Sequence, residues 1–150
     1  MDEQLENRLA KAVERLTRAS QGTEAERDRT RRQARERVLA ELPRLEARIV
    51  DAMGEVNDTL AEAGMALHLA KSNHTPVAEA VYTLGVTGLP HQEPVLVLIA
   101  EGQGRVRAML ERDNHRALLE TIDIFELDKS RLASLFVTLL EAHAGAPPRE

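Results

Sequence analysis

Leu60-Ala61-Glu62-Ala63-Gly64-Met65-Ala66-Leu67-His68-Leu69-Ala70 is the stretch over which the chain changes its period. Up to Ala63 the apolar residues recur every three or four positions. After Gly64 they recur every second one, with Leu67 and Leu69 alternating with Ala66, His68 and Ala70. The first spacing lines one face of a helix, and the second lines one face of a strand. Gly64 stands where a helix commonly ends in a left-handed residue. A helical half followed by a sheet is therefore expected, which makes the fold α+β.

Upstream, Val38, Leu42, Leu45, Ile49, Ala52, Val56, Leu60 and Ala63 predict a core-facing helix over 38–63. Pro43 falls inside that run and predicts a kink or a fresh start, because proline suits the first helical turn and not the interior. Further upstream, Leu5, Leu9, Ala12, Leu16 and Ala19 follow the a/d rhythm of a coiled-coil seam over residues 2–20. Ser20-Gln21-Gly22-Thr23 interrupts it, and Thr23 followed by Glu26 reads as a capping box opening another helix. Glu24 to Glu36 is almost devoid of apolar residues. Residues 1–36 are thus expected to form a charged helical arm or hairpin, apart from an α+β domain over 37–145.

Downstream, alternation and turn residues predict strands at about 66–71, 78–87, 94–100, 105–112 and 118–126, with turns at Ser72-Asn73-His74 and Asp113-Asn114. Val95 to Ala100 is continuously apolar, as in a central strand covered on both faces. The connections are too short for parallel crossovers, so the sheet should be an antiparallel meander. Leu132, Leu135, Phe136, Leu139, Leu140 and His143 then predict an amphipathic helix over 129–144, capped by Asp128 or Ser130 and packed on the sheet. Gly145 and Pro147-Pro148 end it, leaving a loose tail over 146–150.

Composition narrows the chemistry. The 150 residues contain no cysteine, which excludes disulfides, thiol catalysis and cysteine-based zinc sites. Tyr82, Phe125 and Phe136 are the only aromatic residues, so the core is aliphatic and stacking platforms for bases or sugars are missing. The opening Met1-Asp2-Glu3-Gln4-Leu5-Glu6 is acidic and polar, unlike a secretory signal, and no apolar run approaches the ~20 residues that span a bilayer. A cytoplasmic protein with no membrane partner is expected. The net charge of −5 is uneven: residues 1–75 hold 14 acids and 13 bases, residues 76–150 hold 11 and 7.

Arg27, Arg29, Arg31, Arg32, Arg35 and Arg37 crowd one helical stretch, and Arg27, Arg31 and Arg35 share an i, i+4 row that could follow a phosphate backbone. Arg27, Arg31, Arg32 and Arg35 are the candidates for nucleic-acid contact. Glu24, Glu26, Asp28 and Glu36 dilute the patch to roughly +2 to +3, the balance of an ordinary solvated helix. His68, His74, His91, His115 and His143 show no ligand spacing for a metal, and no acid completes a catalytic triad. Glu120, Asp123 and Glu126 cluster before the last helix without a spacing that makes a paired-carboxylate site. Gly102-Gln103-Gly104 lacks the following Lys-Ser/Thr of a phosphate loop. No catalytic residue, metal ligand or cofactor is expected.

The informative feature left is the stripe Leu5, Leu9, Ala12, Leu16 and Ala19 as a partner interface. It points to a non-enzymatic protein–protein interaction module (an adaptor, a scaffold component or a chaperone-like protein) acting as a homo-oligomer. The alternative is nucleic-acid binding through the Arg27–Arg37 cluster. A lesser one is a small-molecule sensor with a pocket between the sheet and the last helix, near Tyr82 and His68.

Overall fold

The computed structural model describes residues 2–75 and 78–145, and only the backbone of Gln21, Asn73, His74 and Thr75. The tail expected over 146–150 lies outside the described residues. Helix α1 spans Glu3–Leu60, and a short 3-10 turn at Ala61–Ala63 follows. Strands β1 (Ala66–Thr75), β2 (Ala78–Thr87), β3 (Val95–Ala100), β4 (Arg105–Arg112) and β5 (His115–Asp123) come next, then helix α2 (Lys129–His143). The five strands form one antiparallel sheet in chain order, β1-β2-β3-β4-β5. The fold is α+β, as the change of period at Gly64 implies. The chain divides into two compact units, Met1–Ala34 and Arg35–Glu150.

In the second unit both helices pack on one face of the sheet. Val38, Leu45, Ile49, Ala52 and Leu60 of α1 meet Leu132, Leu135, Phe136, Leu139 and Ala142 of α2 over a shared core. The sheet contributes alternate residues, among them Tyr82, Leu84, Leu96, Leu98, Val106, Ala108 and Leu110. Each buried Leu, Ile or Phe contributes about 1.5–3 kcal/mol, so this layer dominates the stability of the unit. The opposite face carries a smaller cluster in which Val97 and Ile99 are buried against Val81, Val95 and Met109. That second cluster is why β3 reads as a continuous apolar run.

Gly64 has φ +76°, and its N–H donates to the Ala61 carbonyl while Met65 N–H donates to Leu60, closing the helix before β1. Asp128 caps α2, its carboxylate accepting from Arg131 N–H at 2.8 Å.

Several local expectations are corrected. Ser20-Gln21-Gly22-Thr23 does not interrupt α1, and Thr23 is no cap: its hydroxyl donates back to the Ala19 carbonyl at 2.8 Å. Thr17 and Thr30 do the same to Val13 and Glu26. A single Gly costs a helix only about 1 kcal/mol, and the flanking Ala, Glu and Arg residues favour continuation. No fresh helix starts at Pro43, which sits inside α1 on its exposed side, where water can satisfy the carbonyl its ring leaves without a donor. Ser72-Asn73-His74 is strand and not turn, because β1 keeps pairing with β2 as far as Thr75 opposite Ala78. At the far edge, Asp113 and Asn114 have φ +52° and +64°, the two-residue turn of a tight hairpin. β5 accordingly begins at His115, earlier than the expected 118, and ends at Asp123.

Candidate interaction surface

In the first unit every described side chain up to Gln33 is exposed, and four large apolar ones are among them. Leu5, Leu9, Val13 and Leu16 are 49%, 56%, 53% and 71% exposed. With Leu5 and Ala12 at d positions and Leu9 and Leu16 at a positions, Val13 falls at e, beside the seam. The strict a/d spacing takes in Leu5, Leu9, Ala12, Leu16 and Ala19 and misses Val13. A wider apolar stripe, three residues per heptad rather than two, is the signal that finds it. On the side away from the seam, at c and f positions, Arg18 and Glu14 form an i, i+4 pair at 2.7 Å.

The arginine row behaves differently at its two ends. Arg27, Arg31 and Arg32 are exposed. Arg35, assigned with them to nucleic-acid contact, belongs to the second unit and bonds Glu79 of β2, with Nε 2.8 Å from Oε1. That bond holds the Arg35 guanidinium pKa above its usual value. A carboxylate thus occupies the group that phosphate would need, and the i, i+4 row loses its last member.

Tyr82 and His68 do not share a pocket. Tyr82 is fully buried on the helix-covered face, its hydroxyl donating to Glu46 Oε1 at 3.0 Å, and Lys71 pairs with the same carboxylate. Burial, then the bond to Glu46, push the phenol far above its ordinary value, so it stays neutral. His68 pairs with Gly85 and lies on the opposite face, its imidazole over the glycine; a Cβ on Gly85 would come within 2.6 Å of the ring. The cavity beside His68, about 500 Å³, lies at the β2–β3 connection and is lined also by Thr87, Leu89, Gln92 and Val95.

The other candidate groups are dispersed. Glu120, Asp123 and Glu126 are exposed, and the Asp123 carboxylate accepts from Phe125 N–H at 2.8 Å. The His143 imidazole is half-buried near Pro94, Arg112 and His91. Burial lowers its pKa, opposed by the Pro94 backbone and reinforced by the neighbouring positive charge. The side chain of His74 lies outside the described residues. Among the described residues no group of His, Asp and Glu could hold a metal ion, and no helix is long and apolar enough to cross a membrane.

Two polar clusters tie α1 to the rest of its unit. Arg48 bonds Glu41 at 2.8 Å and donates to the carbonyls of Leu127 and Ile124 at 3.0 and 3.1 Å. Asn57 accepts from Leu67 N–H at 2.7 Å and donates to the Leu67 carbonyl at 3.3 Å. Both are structural contacts, since each polar group is met by a partner within the unit. No family model, curated protein or solved structure matches this chain.

Proposed function

We propose that the chain is a non-enzymatic protein–protein interaction module, an adaptor, scaffold component or chaperone-like protein of the cytoplasm. It works as a homo-oligomer joined through the N-terminal part of α1. The observation that supports this reading is the exposed row Leu5, Leu9, Val13 and Leu16 on one side of a helix. A helix gains nothing from holding four large apolar side chains in water at coiled-coil spacing, and a second helix buries them.

Charge chooses the orientation. Arg8 and Arg15 occupy g positions. In an antiparallel pair g faces g, which would set these arginines against one another. In a parallel pair g faces e, so Arg8 meets Val13 and Arg15 meets Ser20 without repulsion. A parallel pair is therefore favoured.

Sedimentation of the full chain tests the reading. Association at micromolar concentration is expected, and Leu9→Glu/Leu16→Glu should abolish association through the seam. A parent chain that stays monomeric to high micromolar concentration refutes it. Nucleic-acid binding is the second reading, supported by the exposure of Arg27, Arg31 and Arg32 and weakened by the engagement of Arg35 with Glu79.

A further inference from the structure

The sheet has two edges, β1 and β5. At β1 the Asn57 amide holds both backbone groups of one residue, Leu67. Along β5 every side chain but Leu119 and Ile122 is exposed, and Leu118 is 55% exposed. Charged side chains and bulges commonly protect such edges, and β5 has both. Its charges, however, are ordered by sign: Arg116 stands near the start of the strand, Glu120 and Asp123 near its end. A strand so ordered repels a parallel copy of itself and attracts an antiparallel one.

The bulge fixes the register that this pairing requires. Met109 stands opposite Leu118 and Ala108 opposite Glu120, so Leu119 is the extra residue. Arg116, Leu118, Thr121 and Asp123 then lie on the face away from the helices, with Ala117, Glu120 and Ile122 on the helix side. A two-fold axis between Leu119 and Glu120 keeps each face continuous. It sets Arg116 opposite Asp123 of the second copy, Leu118 opposite Thr121 and Ala117 opposite Ile122, each pair occurring twice. We propose that β5 pairs antiparallel with β5 of a second copy and joins two sheets edge to edge. The apolar cluster of Val97, Ile99 and Met109 continues through Leu118 to that junction. This contact is independent of the α1 seam, and a chain that makes both assembles beyond a dimer.

The experiment uses the full chain carrying Leu9→Glu and Leu16→Glu, so that only the β5 contact remains. Sedimentation at high micromolar concentration is expected to find a dimer. Arg116→Asp and Asp123→Arg, each added alone, oppose like charges at both symmetric positions and give monomers. Mixing the two variants rebuilds both unlike pairs and restores the dimer. A monomeric background, a dimer that Arg116→Asp leaves unchanged, or a mixture that stays monomeric each overturns the proposal.

Arg116 also bonds Glu111 at 3.0 Å and Asp123 the Phe125 N–H, so a second variant avoids both residues. In a chain without cysteine, Leu118→Cys/Thr121→Cys is expected to give a covalent dimer on mild oxidation, and failure to cross-link also overturns the pairing. A failed β5 contact leaves the seam untouched, since the parent chain with Leu9 and Leu16 in place still associates.

Discussion

Replacing Leu16 by Ala isolates the seam most cleanly, because Leu16 is the most exposed of the four apolar residues on it, at 71%. In the single chain the change is nearly silent. The lost carbons touch mostly water, and Ala is the better helix former by a few tenths of a kcal/mol. Helicity by circular dichroism and the midpoint of urea unfolding in dilute solution should therefore hold or rise slightly.

In the associated state the outcome differs. Leu exceeds Ala by three carbons, worth about 2.4 kcal/mol when fully transferred from water. Scaled by the 71% exposure, the loss is about 1.7 kcal/mol per copy and about 3.4 for two. That corresponds to roughly a 300-fold weaker association. The whole seam is modest enough for such a loss to be visible. Its four residues sum to a little over two fully exposed side chains per helix, so a pair of helices buries about 7–14 kcal/mol gross. Association itself costs roughly 4–15 kcal/mol. The parent contact should be micromolar, and Leu16→Ala should weaken it toward the millimolar range. The β5 variant Arg116→Asp supplies the background, and sedimentation equilibrium across concentration is the assay. If Leu16→Ala changes the dissociation constant by less than about threefold, Leu16 is not in the interface and the seam argument is wrong.

Other outcomes follow from single contacts. His143 is held neutral by burial, with its pKa below the ordinary 6.5, so the unfolded chain takes up that proton first as pH falls. Its contribution to stability is present above pH 6.5 and lost below it; comparing urea midpoints at acidic and neutral pH, His143→Gln should flatten the slope that the parent shows. Asn57→Ala removes both bonds to Leu67 and should cost about 1–3 kcal/mol, read from the shift in urea midpoint at constant m. Arg48→Met leaves Glu41, only 7% exposed, without its closest partner; a loss of about 2–4 kcal/mol is expected, and Glu41→Gln in the same chain should recover part of it. If the chain does bind DNA, Arg27→Ala/Arg31→Ala/Arg32→Ala should lower both the affinity and its salt slope, whereas Arg35→Ala should act mainly on stability through Glu79.

The fold is legible where hydrophobic burial decides structure. Alternation at Tyr82, Leu84 and Val86, the run at Val95–Ala100 and the row from Val38 to Leu60 are all traces of one core, and a core imposes its period on sequence. What the sequence conceals are places decided by small terms. Gly22 and Thr23 differ from good helix formers by less than about 1 kcal/mol each, too little to stop a helix whose neighbours favour it. Pro43 reads as a breaker until its exposed position is known, because only there can water replace the missing donor. Asp113-Asn114 is legible as a turn, but its two-residue length, and so the start of β5, depends on both residues adopting positive φ.

The candidate surfaces divide along the same line, and that division says where partner recognition can be read at all. Local spacing marks the candidate seam, since Leu5, Leu9 and Leu16 share a helix face by virtue of the helix alone. Nothing local reveals that Arg35 is taken by Glu79, 44 positions away, whereas alternation already sets Tyr82 on the apolar row and His68 off it. The edge of β5 is an intermediate case. Its charge order, Arg116 before Asp123, is plain in the sequence, yet it acquires meaning only when β5 is known to be an edge of the sheet. A charge pattern on a central strand would be neutralised by its neighbours within the chain. On an open edge the same pattern is left to face an external strand, and an order that inverts from end to end is matched best by its own copy.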